Sequence, residues 1–277
     1  MFTILQYPFI QNAFLAGSIV AVAAALLGYF LVIRGLTFAG HALSNIGFSG
    51  AAGAVLLGVQ PVYGLLVFTV AASLAIAVLG REIRERDVAI GVIMTFALGL
   101  GILFLALYNG YAQPAYSILF GTILGISRQD VLVTALFSLL IIVTILLMWR
   151  PLLFSSFDPE MAEARGVPLR ALAGIFLVLV ALTVSVAMQV VGVLLVFALL
   201  VGPAATAARL VRRPAWTVVL AIVLGLCYTW LGILLAANST WPVSFFIAAI
   251  SFAVYLPVRL FSHRLQDRRP AVEVQHV

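Results

Sequence analysis

Inside a chain dominated by apolar residues, the one side chain suited to transition-metal chemistry at membrane depth is His41. It stands at the start of an apolar stretch, with Ser44 and Asn45 following. On a helix the i,i+4 spacing puts imidazole and amide on one face, with the Ser44 hydroxyl beside them. Neutral imidazole is the commonest transition-metal ligand and an amide oxygen a weak one, so such a face suits a divalent ion that must be bound loosely enough to leave. A second reading of the same residues is structural, with His41 near a helix start bonded to a neighbouring carbonyl.

Other chemistries lack their residues. The nine acidic side chains lie in or beside polar breaks and in the tail, and His263 and His276 lie near the C-terminus. An intramembrane enzyme needs paired aspartates, a His-Glu-x-x-His helix or a Ser-His pair at depth, and none of these is written in the apolar stretches. The single cysteine, Cys227, permits neither a disulfide nor a thiolate cluster within one chain and reads as a buried small apolar residue. All fifteen basic residues are arginine, so there is no lysine for a phosphate-binding loop and the chain does not hydrolyse ATP itself.

The elements that must position His41 follow from composition. The 277 residues are 65% hydrophobic and 9% charged, against about a quarter charged in soluble domains. Nine stretches, roughly 13–33, 38–58, 62–80, 88–108, 131–148, 170–190, 192–212, 215–236 and 243–263, approach the length of about 20 residues that crosses a bilayer. The expected fold is all-α, a polytopic membrane bundle of about eight or nine helices over residues 1–264, followed by a short polar tail, 265–277. Arginines occupy every second break, at Arg34, Arg81 to Arg86, Arg150 to Arg170, Arg209 to Arg213 and from Arg259 onward, while Gly58 to Pro61, Tyr108 to Tyr116 and Ala237 to Pro242 carry no charge. That alternation places the arginine-bearing breaks and the C-terminus in the cytoplasm and the N-terminus outside. It also accounts for the pI near 10 without a nucleic-acid partner. The apolar piece between Ser117 and Ser127 is too short to span and reads as re-entrant. Gly202-Pro203 reads as a break in the seventh span.

The longest polar break, Ser155 to Arg170, has the grammar of a short helix near 155–167. Asp158 suits the N-cap, Pro159 the first helical position, Glu160 the positive dipole end and Gly166 the C-terminal cap.

Three runs in this order, Val32-Ile33-Arg34-Gly35-Leu36 with Gly40, Ala42, Leu43 and Ser44, then Asp158-Pro159-Glu160-Met161-Ala162 with Gly166-Val167, then Val191-Gly192-Val193 through Gly202-Pro203-Ala204-Ala205-Thr206-Ala207, resemble the permease family of zinc, manganese and iron ABC importers. The resemblance extends to about residue 260. It implies a permease working as two copies with two separate ATP-binding subunits, fed with a divalent metal by an extracytoplasmic solute-binding protein. ATP is then used by the partner, and no cofactor is held tightly. It implies that Asp158, Pro159, Glu160, Ala162 and Gly166 couple the bundle to the ATPase, and that His41, Asn45 and Ser44 line the substrate path, with His41 touching the metal. The family commonly has an acidic residue at the His41 position and histidine at the Asn45 position, and this chain departs at both. The related permeases for haem, siderophores or cobalamin are the alternative within the architecture, mildly favoured by the lack of carboxylates in the spans. A stand-alone channel or secondary transporter would usually show more polar residues along its path.

Overall fold

The structure is a computed structural model and describes residues 7–79, 83–108 and 125–266. Among these residues there are eleven helices and no strand: α1 (Pro8–Ile33), α2 (Thr37–Leu56), α3 (Pro61–Leu79), α4 (Ile83–Leu107), α5 (Arg128–Leu147), α6 (Trp149–Phe157), α7 (Pro159–Ala164), α8 (Leu169–Val191), α9 (Val193–Leu210), α10 (Pro214–Ala237) and α11 (Val243–Gln266). Proline opens α1, α3, α7 and α10, where its missing N–H is not needed and its fixed φ suits the first turn. α5 starts on a capping box in which Ser127 and Asp130 satisfy each other's backbone N–H groups.

Seven of these helices, α1, α3, α4 from Arg86, α5, α8, α10 and α11 up to Phe261, are long and apolar enough to cross a membrane. α9 is apolar but shorter. α2 has the length, at 20 residues, but His41, Asn45 and four glycines dilute its hydropathy. The nine expected stretches thus each find a helix. The proposed re-entrant piece falls, except for its last three residues, outside the described residues.

α2 can be that polar because protein surrounds it. Fourteen of its twenty residues are buried, and it packs on α3, α4, α8 and α9, while α1 packs on α5, α8, α9 and α10. Closest approach is made by backbone. A Cβ on Gly28 would collide with the carbonyl oxygen of Leu200, and Cβ atoms on Gly50 and Gly64 would each collide with the other's carbonyl oxygen. Lipid gives helices no hydrophobic reason to associate, so these small residues supply the van der Waals contact that holds the bundle. Hydroxyls in the spans are largely satisfied by their own helix: Thr69, Thr183, Ser185 and Thr229 each donate to the carbonyl four residues back. Thr69 and Ser185 also meet at 2.7 Å and tie α3 to α8.

Two expectations are corrected. Cys227 is exposed, because α10 packs through the face of Ala221, Gly225, Tyr228, Gly232 and Ala236 and leaves Cys227 outside it. In an apolar solvent a thiol needs no burial. α9 also runs unbroken through Pro203. What Gly202 provides is room for α11, since a Cβ there would strike the Ser251 hydroxyl.

The chain does turn ten residues earlier, at the expected boundary between the sixth and seventh spans. Gly192 alone separates α8 from α9, at φ 80 and ψ 164, and its neighbours Val191 and Val193 are buried. A side chain is strained in that region of backbone space by about 1–3 kcal/mol. Gly192→Ala is therefore expected to lower the thermal midpoint of the purified protein by several degrees, read by light scattering or tryptophan fluorescence in detergent. An unchanged midpoint would show that the turn relaxes freely.

Candidate substrate path and coupling helix

α1 ends on a left-handed glycine. Gly35 adopts φ 64, and the Gly35 and Leu36 N–H groups return to the carbonyls of Val32 and Leu31, a Schellman closure that turns the chain into α2 within three residues. Arg34, at this turn, donates from Nη2 to Ser155 Oγ at 3.0 Å and lies over the Phe176 ring. Burial first, and nearby Arg86 second, pull its guanidinium below the ordinary arginine value. The turn that starts α2 is thereby fastened to α6 and α8.

One turn further on, His41 and Asn45 do meet. Asn45 Nδ2 lies 3.2 Å from His41 Nε2 and donates to the His41 carbonyl at 3.0 Å. The ring nitrogen accepts that amide when its own proton sits on Nδ1. The imidazole is exposed on the single chain, and its ring stands edge-on to Phe197 of α9 at 5.1 Å between centroids. Ser44 is placed differently. It is buried, and its hydroxyl donates to Gly40 O at 3.0 Å. From α4 comes a third polar partner, Met94, whose sulfur lies 3.9 Å from Asn45 Nδ2. Met94 escapes a reading of sequence because a methionine in an apolar span resembles any other core residue, and only the packing of α4 on α2 brings it to Asn45. Among the described residues no three His, Cys, Asp or Glu side chains are grouped to hold a metal. An ion at His41 would therefore complete its shell from amide, thioether, backbone, water or another chain.

The 155–167 break folds as a compact α6–α7 corner. Asp158 accepts from Met161 N at 2.9 Å, Pro159 fills the first position, and Glu160 lies in the first turn. At the other end Gly166 adopts φ 80, and the Gly166 and Val167 N–H groups return to Glu163 and Ala162 carbonyls, a second Schellman closure. Both ends of a six-residue helix are thus satisfied locally, which allows it to persist outside the bundle. Ala162 is fully buried and seats α7 against its neighbours α6 and α8. Asp158, Pro159, Glu160 and Gly166 are exposed. So are Phe157 and Met161, at 67% and 48%. The exposed surface of the α6–α7 corner therefore carries two apolar side chains, Phe157 of α6 and Met161 of α7, alongside the acids Asp158 and Glu160, a surface that local sequence did not single out.

A bundle of this kind, with seven helices apolar enough to span and an interior helix carrying imidazole and amide, defines a polytopic membrane protein. The profile of the ABC 3 transport family matches residues 6–262, and the chain belongs to that family. It is 35% identical over 211 residues to the manganese transport system membrane protein MntC of Halalkalibacterium halodurans, covering 76% of this chain and 72% of that one. It is 31% identical over 235 residues to the high-affinity zinc uptake system membrane protein ZnuB of Haemophilus influenzae, covering 84% and 89%. Among solved structures it is similar to PsaBC from Streptococcus pneumoniae in complex with Fab, at TM-score 0.84 and 28% identity over 95% of this chain and 96% of that one.

Proposed function

We propose that this chain is the cell-membrane permease of an ATP-driven importer for a divalent transition metal. It works as two copies joined to two ATP-binding subunits, with the C-terminus in the cytoplasm and the metal delivered by an extracytoplasmic solute-binding protein. Two copies related by a two-fold axis line one path with the same face twice, so the His41–Asn45 pair would be presented from both sides. The metal cargo is supported by relatives named for manganese and zinc transport. The observation that carries the coupled, ATP-driven reading is the α6–α7 corner, in which α7, a helix too short to be stable alone, is closed at both ends and anchored through Ala162, and Phe157 at the end of α6 and Met161 of α7 are exposed. Exposed apolar side chains rimmed by acids suit a groove on a partner, and rigid anchoring lets a rocking movement pass into α6 and α8.

The test is assembly with the cognate ATPase. Purified alone, the chain should show no ATP hydrolysis, and co-expressed it should be retained with the ATPase through gel filtration. Asp158→Ala removes a cap worth about 1 kcal/mol of helix stability. Combined with Glu160→Ala, it should lower the amount of ATPase retained several-fold without loss of permease from the membrane. A complex that forms equally well without residues 155–167 would refute the coupling role.

A further inference from the structure

We infer that Met94 supplies a third donor beside His41 and Asn45, and that this uncharged imidazole, amide and thioether set makes the path select zinc over manganese. The inference rests on the path-lining reading above and concerns which ion that face prefers.

The geometry comes first. The Asn45 amide lies 3.2 Å from His41 Nε2 and 3.9 Å from Met94 Sδ. Zinc binds nitrogen and oxygen at about 2.0–2.2 Å and thiolate sulfur at about 2.3 Å, a neutral thioether standing somewhat further off, so neighbouring donors on a tetrahedral ion stand roughly 3.3–3.8 Å apart. Both separations therefore need to change by only a few tenths of an ångström. The amide nitrogen and oxygen have the same shape, and half a turn of the side chain presents Oδ1 at the position where Nδ2 now stands. That turn gives up the hydrogen bond from Nδ2 to the His41 carbonyl together with the contacts of Nδ2 to His41 Nε2 and Met94 Sδ, two acceptors that the ion would then hold in its place. None of the three residues is closed off, since His41 is exposed and Asn45 and Met94 are half-buried.

Donor chemistry decides the ion. Manganese is the hardest of the candidate ions and is suited by carboxylate, carbonyl and water oxygens, whereas imidazole suits zinc and thioether is a soft ligand. For a given nitrogen or sulfur site, affinity also rises from manganese toward zinc. No carboxylate stands in α2, and the residue that α4 brings to the pair is a sulfur. Relatives named for manganese and for zinc match this chain at 35% and 31% identity, so the names leave the ion open where the donors do not.

The experiment uses the complex of this chain with its ATPase, without the solute-binding protein, and measures equilibrium binding of zinc and of manganese by dialysis and elemental analysis. The unaltered complex should hold zinc more tightly than manganese. Met94→Leu, which keeps the apolar volume, should weaken zinc about tenfold and leave manganese within a factor of two, and zinc-edge X-ray absorption should lose a sulfur neighbour. Tighter manganese than zinc in the unaltered complex, or equal weakening of both ions in Met94→Leu, overturns the inference. So does an unchanged zinc affinity in Met94→Leu while His41→Ala abolishes binding, in which case the path-lining reading stands without it. Zinc held normally by His41→Ala would remove the path-lining reading as well.

Discussion

His41→Ala is expected to reduce metal uptake by cells carrying the whole importer to background, while the permease remains in the membrane and bound to its ATPase at the unaltered level. The expectation of intact assembly comes from the structure. The ring is exposed on the chain and touches Phe197 only edge-on, so little packing is lost. The main-chain bond that Asn45 makes is to the carbonyl of residue 41, which alanine keeps. The expectation of lost uptake comes from the scarcity of alternatives. Among the described residues no group of three His, Cys, Asp or Glu offers the ion another site, and amide oxygen and thioether are weak ligands without the imidazole. Uptake of zinc, manganese and iron measured in parallel, with immunoblots for membrane level, checks both halves. Normal uptake of every ion would remove His41 from the path. Lost protein in place of lost uptake would favour the structural role for the ring.

How much of this was legible beforehand depends on whether the signal is local. Each expected span found its helix because crossing a bilayer demands length and apolarity, and both are written residue by residue. The α7 corner was legible for the same reason, since Asp158, Pro159, Glu160 and Gly166 act on backbone groups within four residues of themselves. What was not legible is which way a side chain faces relative to other helices. Ser44 and Asn45 are adjacent in sequence, yet one donates back into its own helix in the interior and the other meets both His41 and Met94. Ala162 and Met161 differ likewise, one buried and one exposed on the same turn. Cys227 failed for a related reason, because apolarity predicts burial in water, whereas in lipid it is equally at home on the outer face. Gly202-Pro203 carried a helix-breaking signal that the fold uses for close approach by α11, whereas the boundary expected between the sixth and seventh spans is made where it was read, at Gly192.

The largest structural effect is expected at the α2–α3 crossing. Gly50→Val, and independently Gly64→Val, should prevent the bundle from closing, because each new Cβ would enter the space of the facing backbone carbonyl. A side-chain tip can swing away from such a collision, but a carbonyl held in a helix moves only with the helix. Nor is there a solvent-driven force to press α2 and α3 together again once they are parted. Overpacking of a tight core costs about 1–3 kcal/mol where side chains can yield. With backbone on both sides the upper end of that range is the expected minimum, equivalent to a fall in thermal midpoint on the order of 10 °C. The damage should reach the His41–Asn45 face, since Gly50 lies on the same helix five residues from Asn45, and separating α2 from its neighbours would also loosen the contact with Met94 on α4. Gly99→Ala is the control, because a Cβ there meets nothing within 4 Å. Fluorescence-detected gel filtration after a heating series distinguishes the cases. The Gly50 and Gly64 variants should run as aggregate or be absent, and Gly99→Ala should match the unaltered chain. If Gly50→Val instead melts with Gly99→Ala, the α2–α3 contact is not what holds the interior helix in place.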